Sequence, residues 1–323
     1  MLLFTLCALG VIAPFATSQD LSAQLHNASA TGDVQELANL VEQIRATKPY
    51  TYLDDLYKCY EGQPSDCNGE NPPGWCSVYA PFTRHESDCL SVLHTAAVAW
   101  QSESVKYLTG IARMDVDALD KANQTALHAA FDSFTVYWHP CSPSFRNTVL
   151  ALLAAGANPK LPFPYAGLNN YTVLHFEAYD GNRHGLVPDL VDAGADVNQK
   201  DDRGYTSLHA AAKCDFRLSC DDCGCSSNSC SDNPQKATCP ATFTNYPKNA
   251  TVQFFGAAPT LDFLVAQGGN PNAVTNDGTK PIDLVPKPDT GNLADSAIWT
   301  SGSCKNTYNY LKSVSAGAPA PSN

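Results

Sequence analysis

Two sets of residues in this 323-residue chain have the types and spacing for chemistry. Histidine comes at regular intervals in Ser91-Val92-Leu93-His94, Thr125-Ala126-Leu127-His128, Thr172-Val173-Leu174-His175 and Thr206-Ser207-Leu208-His209. With His26 these make five of the eight histidines, a number that could ligate metal or move protons. Cysteine is dense in Cys220-Asp221-Asp222-Cys223-Gly224-Cys225, continuing to Cys230, where C-x-x-C and C-x-C spacings suit thiolate ligands of zinc. Carboxylates offer a third chemistry, because Asp54, Asp55 and Glu61 could join distant residues in a hydrolytic pair without any local signature.

The spacing of the histidines argues against a shared site. Successive motifs are 34, 47 and 34 residues apart. That interval is a repeat period, and stacked repeats stand roughly 10 Å apart, against Zn–N bonds of about 2 Å. No nucleophile elbow, phosphate-cradling glycine loop or zinc-protease motif is present. No catalytic residue, cofactor or resident metal is therefore expected, and an enzyme is not the leading reading.

The elements that must position these residues recur with the motif. Gly156-Ala157-Asn158-Pro159, Gly194-Ala195-Asp196-Val197-Asn198 and Gly269-Asn270-Pro271-Asn272 precede it as helix-ending glycines that lead into turns. Leu150, Leu152 and Leu153, and then Leu186, Leu190 and Val191, come at helical spacing before those glycines. Degenerate copies lie at Leu25-His26 with Gly32-Asp33-Val34 and at Lys280-Pro281-Ile282-Asp283, so about six units can be drawn.

These motifs resemble the ankyrin-repeat family, whose unit is about 33 residues with a T-P-L-H-x-A signature and G-A-D-x-N at the turn. Gly194 to Ala212 carries the fullest match. The resemblance implies an all-α solenoid of helix-turn-helix units with β-hairpin fingers. It also implies that the motif histidine bonds helix to turn, and that the protein works by binding another protein.

Departures from the repeat place the insertions. Cysteine-rich insertions are expected at about 46–88 and 214–252, with a shorter one at 132–145, inside a repeat domain spanning 19–312. His128 to Gly156 is 28 residues against 19 from His175 to Gly194, and the nine extra hold Cys141. His209 to Gly268 is 59, which is 40 more than that reference. The finger from Gly156 to Thr172 is 16 residues against 12 from Gly194 to Thr206. Its extra residues, around Leu161, Phe163 and Tyr165, are expected to project as a stiff, apolar binding tip. The competing expectation is that the same aromatics fold back as a small core.

The compartment follows from three independent signs. An apolar run from Leu2 to Phe15, followed by Ala16-Thr17-Ser18, reads as a signal peptide over 1–18 and is too short to span a bilayer. Of 13 cysteines, Cys7 leaves with that peptide, and the remaining twelve are an even set: Cys59, Cys67, Cys76, Cys89, Cys141, Cys214, Cys220, Cys223, Cys225, Cys230, Cys239 and Cys304. In an oxidising compartment they are expected as disulfides rather than zinc ligands, with the first four pairing among themselves. Sequons at Asn27, Asn123, Asn170 and Asn249 are candidate glycosylation sites.

The sequence is therefore expected to encode a secreted, extracellular, monomeric protein with a flexible tail at 313–323 and a protein partner. A formal charge of −12 repels nucleic acid, and no membrane span is expected in the mature chain. A toxin or effector directed at another organism fits the same features, and an extracellular hydrolase with a non-local site is the remaining alternative.

Overall fold

The computed structural model describes residues 18–47, 53, 57–59, 89–137, 143–163, 168–180, 182, 184–213, 257–285 and 303–317. Their first helix pair is α1 (Ser18–Thr31) and α2 (Val34–Thr47). Gly32, at φ +77°, ends α1, and the Asp33 carboxylate accepts the Glu36 N–H (3.0 Å) to start α2. Leu37, Leu40, Val41 and Ile44 follow helical periodicity and are buried, which directs that face into the stack. Arg45 fixes the far end by donating to the Ala112 carbonyl (2.8 Å).

Later pairs repeat the plan. Short strands β1 (Tyr57–Cys59) and β2 (Cys89–Ser91) are antiparallel and lead into α3 (Val92–Val98) and α4 (Ser102–Gly110). Then come α5 (Ala126–Tyr137) with α6 (Pro143–Ala154), α7 (Val173–Tyr179) with α8 (Val187–Asp192), and α9 (Ser207–Ala212) with α10 (Ala257–Ala266). A 3-10 turn at Pro281–Leu284 and α11 (Ser303–Ser315) complete the described chain. First helices pack on first helices and second on second, so one apolar core runs from Leu25 to Val314. No described helix is long and apolar enough to cross a membrane.

Each first helix is held by its motif histidine. The Thr172 N–H donates to His175 Nδ1 (3.2 Å), while the Thr172 hydroxyl caps the helix, a capping box with imidazole in place of a glutamate. That bond makes Nδ1 the acceptor and leaves the proton on Nε2, which donates to the Tyr205 carbonyl of the next finger (3.1 Å). His94 donates in the same way to Gln124 O (2.9 Å) and His209 to Thr279 O (3.2 Å). In the last unit Asp283 takes over the cap by accepting the Lys280 N–H (3.0 Å).

The fingers are built on side chains that fold the backbone locally. Asp120 Oδ1 accepts the N–H groups of Ala122 and Gln124, both at 2.8 Å, and Asp201 Oδ1 accepts those of Arg203 and Tyr205, both at 2.9 Å. At the tips the chain enters the left-handed region at Asn123 (φ 60°), Asn170 (φ 56°), Gly204 (φ 81°) and Gly278 (φ 84°). Each stands two residues before the first residue of its motif, at Thr125, Thr172, Thr206 and Lys280, and glycine or asparagine stands there because both tolerate that conformation.

Two sequence boundaries shift. The insertion expected at 132–145 is largely helical, because α5 runs to Tyr137 and α6 starts at Pro143, so the extra residues lengthen both helices. Of the tail expected at 313–323, residues 313–315 belong to α11. Cys304, Thr307, Leu311 and Val314 make a buried stripe that holds α11 against the core as far as Ser315. The insertion at 214–252 lies outside the described residues.

Two outcomes follow for stability. A Cβ at Gly204 would meet Asn276 N and Oδ1 at 2.8 Å, whereas one at Gly278 has nothing within 4 Å. Both positions carry positive φ, which costs roughly 1 kcal/mol for alanine. Gly204→Ala is therefore expected to lower the urea midpoint clearly more than Gly278→Ala, and equal effects would refute the close contact.

Burial pushes the imidazoles of His94 and His128 down to about 4 from an ordinary 6.5. The unfolded chain then binds protons first as pH falls, so this stability is complete above about 6.5 and is lost between 6.5 and 4. At roughly 1.4 kcal/mol per pH unit, the loss is on the order of 3 kcal/mol for each histidine by pH 4. Denaturation of the protein and of His128→Asn across that range should show a shallower pH slope for the variant. Parallel slopes would contradict the assignment.

Candidate functional site

Phe163, the central residue of the expected binding tip, does not project. Phe163 is fully buried, stacked on His128 with ring centroids 5.2 Å apart and set edge-on to Phe176 at 6.2 Å. Its N–H donates to Tyr171 O (2.6 Å), which folds the long finger back on itself. Leu161 is partly buried, and its carbonyl accepts from His128 Nε2 at 3.3 Å, the role that Gln124, Tyr205 and Thr279 fill elsewhere. Tyr165 lies outside the described residues. The proposal of Leu161, Phe163 and Tyr165 as a fingertip hot spot is therefore corrected for its central residue, because an aromatic ring with no exposed surface cannot meet a partner.

Phe163 has this position because the junction between α5 and α7 is filled by rings. Phe131 meets Phe145 edge-on at 5.3 Å and Phe176 at 5.8 Å, and Phe145 meets Trp100 at 5.7 Å and His184 at 4.8 Å. Beside them Glu177, fully buried, accepts from His184 Nδ1 (2.8 Å) and from the His184 N–H (3.0 Å). This carboxylate shapes the turn from α7 into α8. It had no signal in the sequence, because only the fold brings Glu177 against His184.

The remaining candidates divide between structure and regions not described. His94, His128, His175 and His209 are committed to their caps and fingers, and His26 Nδ1 lies 2.8 Å from Thr95 Oγ1. Among the described residues no three of histidine, cysteine, aspartate or glutamate are grouped to hold a metal ion. Cys304 is fully buried and disulfide-bonded. Cys59 and Cys89 lie in β1 and β2. Cys67, Cys76, Cys141, Cys214, Cys220, Cys223, Cys225, Cys230, Cys239, Asp54, Asp55, Glu61 and Asn249 lie outside the described residues, as do residues 1–17 of the expected signal peptide, whose last residue, Ser18, begins α1. Asn27, Asn123 and Asn170 are exposed.

An unspent surface is present where α7, α9 and the finger before α9 meet. The Arg203 guanidinium carbon sits 4.5 Å from the Tyr205 ring centroid, and Lys213 Nζ lies 5.5 Å from that centroid and 5.4 Å from the ring of Tyr179. Cations and phenol rings thus alternate along one edge, each within cation–π range. Tyr179 is 47% exposed, one of few large apolar side chains left in water among the described residues. Arg203 is paired with the buried carboxylate of Asp201 (2.7 Å), but no described carboxylate pairs with Lys213. Burial, and then the charge of Arg203, pull the Lys213 ammonium below its ordinary range. Two aromatic faces and an ammonium that no described carboxylate pairs with can receive an acidic side chain.

The fingers that carry this edge are tied to one another. Asp202 accepts the Asn169 N–H (2.8 Å), and Asn276 donates its N–H to Arg203 O (2.9 Å) and its Nδ2 to Asp202 O (2.6 Å). The edge is therefore rigid before any partner arrives.

No protein-family description matches the chain, and no curated protein matches it. Solved structures do. A predatory endopeptidase from Bdellovibrio bacteriovorus in complex with an immunity protein provides a chain that aligns over 88% of this one and 97% of its own length, at 15% identity and TM-score 0.48. An ankyrin repeat domain from Acinetobacter baumannii aligns over 91% and 98% at 17% identity and TM-score 0.49. The ankyrin repeat domain of Bcl-3, a member of the IkappaB family, aligns over 81% and 92% at 17% identity and TM-score 0.42. These are the structures to which the chain is similar, and the stack of helix pairs described above rests on its own geometry.

Proposed function

We propose that this protein is a secreted, disulfide-stabilised ankyrin-repeat module of about six units that binds another protein and catalyses no reaction. The observation that carries the reading is the row of Arg203, Tyr205, Lys213 and Tyr179 along one edge of the stack, with Arg203 and Tyr179 exposed and Tyr205 and Lys213 half-buried. Rigid aromatics and arginine are the residues most often found as interface hot spots, and an acidic side chain of the partner would restore a counter-charge to Lys213. The repeated Thr-x-Leu-His motif supports the repeat class. The apolar N-terminal run and the twelve remaining cysteines support secretion.

Glycosylation belongs to the same reading, with Asn170 as the favoured site. In two fingers the tip needs asparagine and the helix cap two residues later needs threonine, so repeat geometry by itself writes Asn123-Gln124-Thr125 and Asn170-Tyr171-Thr172. Protein from a eukaryotic host should lose mass at Asn170 on amidase treatment, and an unmodified Asn170 would remove the claim.

Binding and architecture separate by mutation. Lys213→Ala with Tyr179→Ala should reduce retention of specific secretome proteins at least about 30-fold, equivalent to about 2 kcal/mol, with the melting temperature nearly unchanged. Phe163→Ala should do the reverse, costing about 3 to 5 kcal/mol of stability as a buried aromatic deletion. Turnover of any substrate in parallel hydrolase assays, or retention indifferent to both surface substitutions, would overturn the proposal.

A further inference from the structure

We propose that Cys59 and Cys89 are joined to each other as a cross-strand disulfide, closing the first insertion at its base. The observation is register. In the antiparallel pairing of β1 and β2, Tyr57 stands opposite Ser91, Lys58 opposite Leu90, and Cys59 directly opposite Cys89. Directly opposed residues of an antiparallel pair share a face, with α carbons about 4.5 to 5.5 Å apart. A disulfide needs α carbons about 4.4 to 6.8 Å apart, a range that a directly opposed antiparallel pair meets.

The sequence alone leaves three pairings open among Cys59, Cys67, Cys76 and Cys89. Register selects the one that joins Cys59 to Cys89. Two further facts agree. Cys304 is already disulfide-bonded, so the described fold contains oxidised cysteine. The strands are only three residues each, and a pair that short is marginal in water without a staple. The bridge would sit at the entrance to α3, where β1 also packs on α1, and would hold the two strands to the start of the stack.

The chemistry balances as thiol–disulfide exchange. Two thiols lose two protons and two electrons to an oxidant of the disulfide class, which leaves as a dithiol while the new S–S bond forms.

The test uses the full chain secreted from a eukaryotic host behind a heterologous leader, alkylated without reduction and digested. A cross-linked peptide pair holding Cys59 and Cys89, released by reductant, is the expected result. Cys59→Ser should then expose one new alkylatable thiol, at Cys89. Cys59 found alkylated in the unreduced protein, or joined to any other cysteine, overturns the proposal. Mapping of the unsubstituted protein decides the matter even if the variant fails to fold, and it is independent of whether any partner is bound.

Discussion

One imidazole holding two loops at once is the interaction on which the stack depends. Nδ1 accepts the backbone N–H at the start of its own helix, and Nε2 donates to a carbonyl at the base of the next finger. Each repeat is thereby set at a fixed angle and distance from its neighbour by a group that cannot slide. Aliphatic packing alone would leave that register soft, since apolar contact has little direction. Burial keeps these histidines neutral, and only the neutral ring can accept on one side and donate on the other. Both ring nitrogens of His175 are thereby committed to hydrogen bonds within the stack.

The strain on this plan falls in the middle of the chain, where the interval between motifs is 47 rather than 34 residues. Longer helices α5 and α6 and a longer finger arrive together, and the space is filled by Phe131, Phe145, Phe163 and Phe176. His128 keeps its clamp by taking the Leu161 carbonyl, because folding back Phe163 puts that group where the shorter fingers present theirs. An aromatic ring at a finger is costly to leave in water when a neighbouring gap can accept it, and interiors tolerate few voids.

What is left exposed is consequently informative. Phe163 found a place in the core, whereas Tyr179 and Tyr205 stayed at the surface with cations laid over their rings. Covering an aromatic face with a charged stem keeps the head group wet while sheltering the ring. The arrangement sets Lys213 and Arg203 together as a local positive site on a chain of formal charge −12.

The repeat itself was legible in the sequence, down to individual residues. The motif histidines, the helix-ending glycines and the positive-φ tips at Asn123, Asn170, Gly204 and Gly278 could be aligned by counting, because each answers a local backbone demand that only a few residue types meet. The fate of Phe163, the Glu177–His184 pair, the facing of Cys59 and Cys89, and the row from Arg203 to Tyr179 could not be counted out. Those depend on which surfaces meet when unequal repeats are stacked. Local periodicity determines that a helix or finger forms; the volume left between neighbours decides which side chain is drawn into the core and which remains to meet a partner.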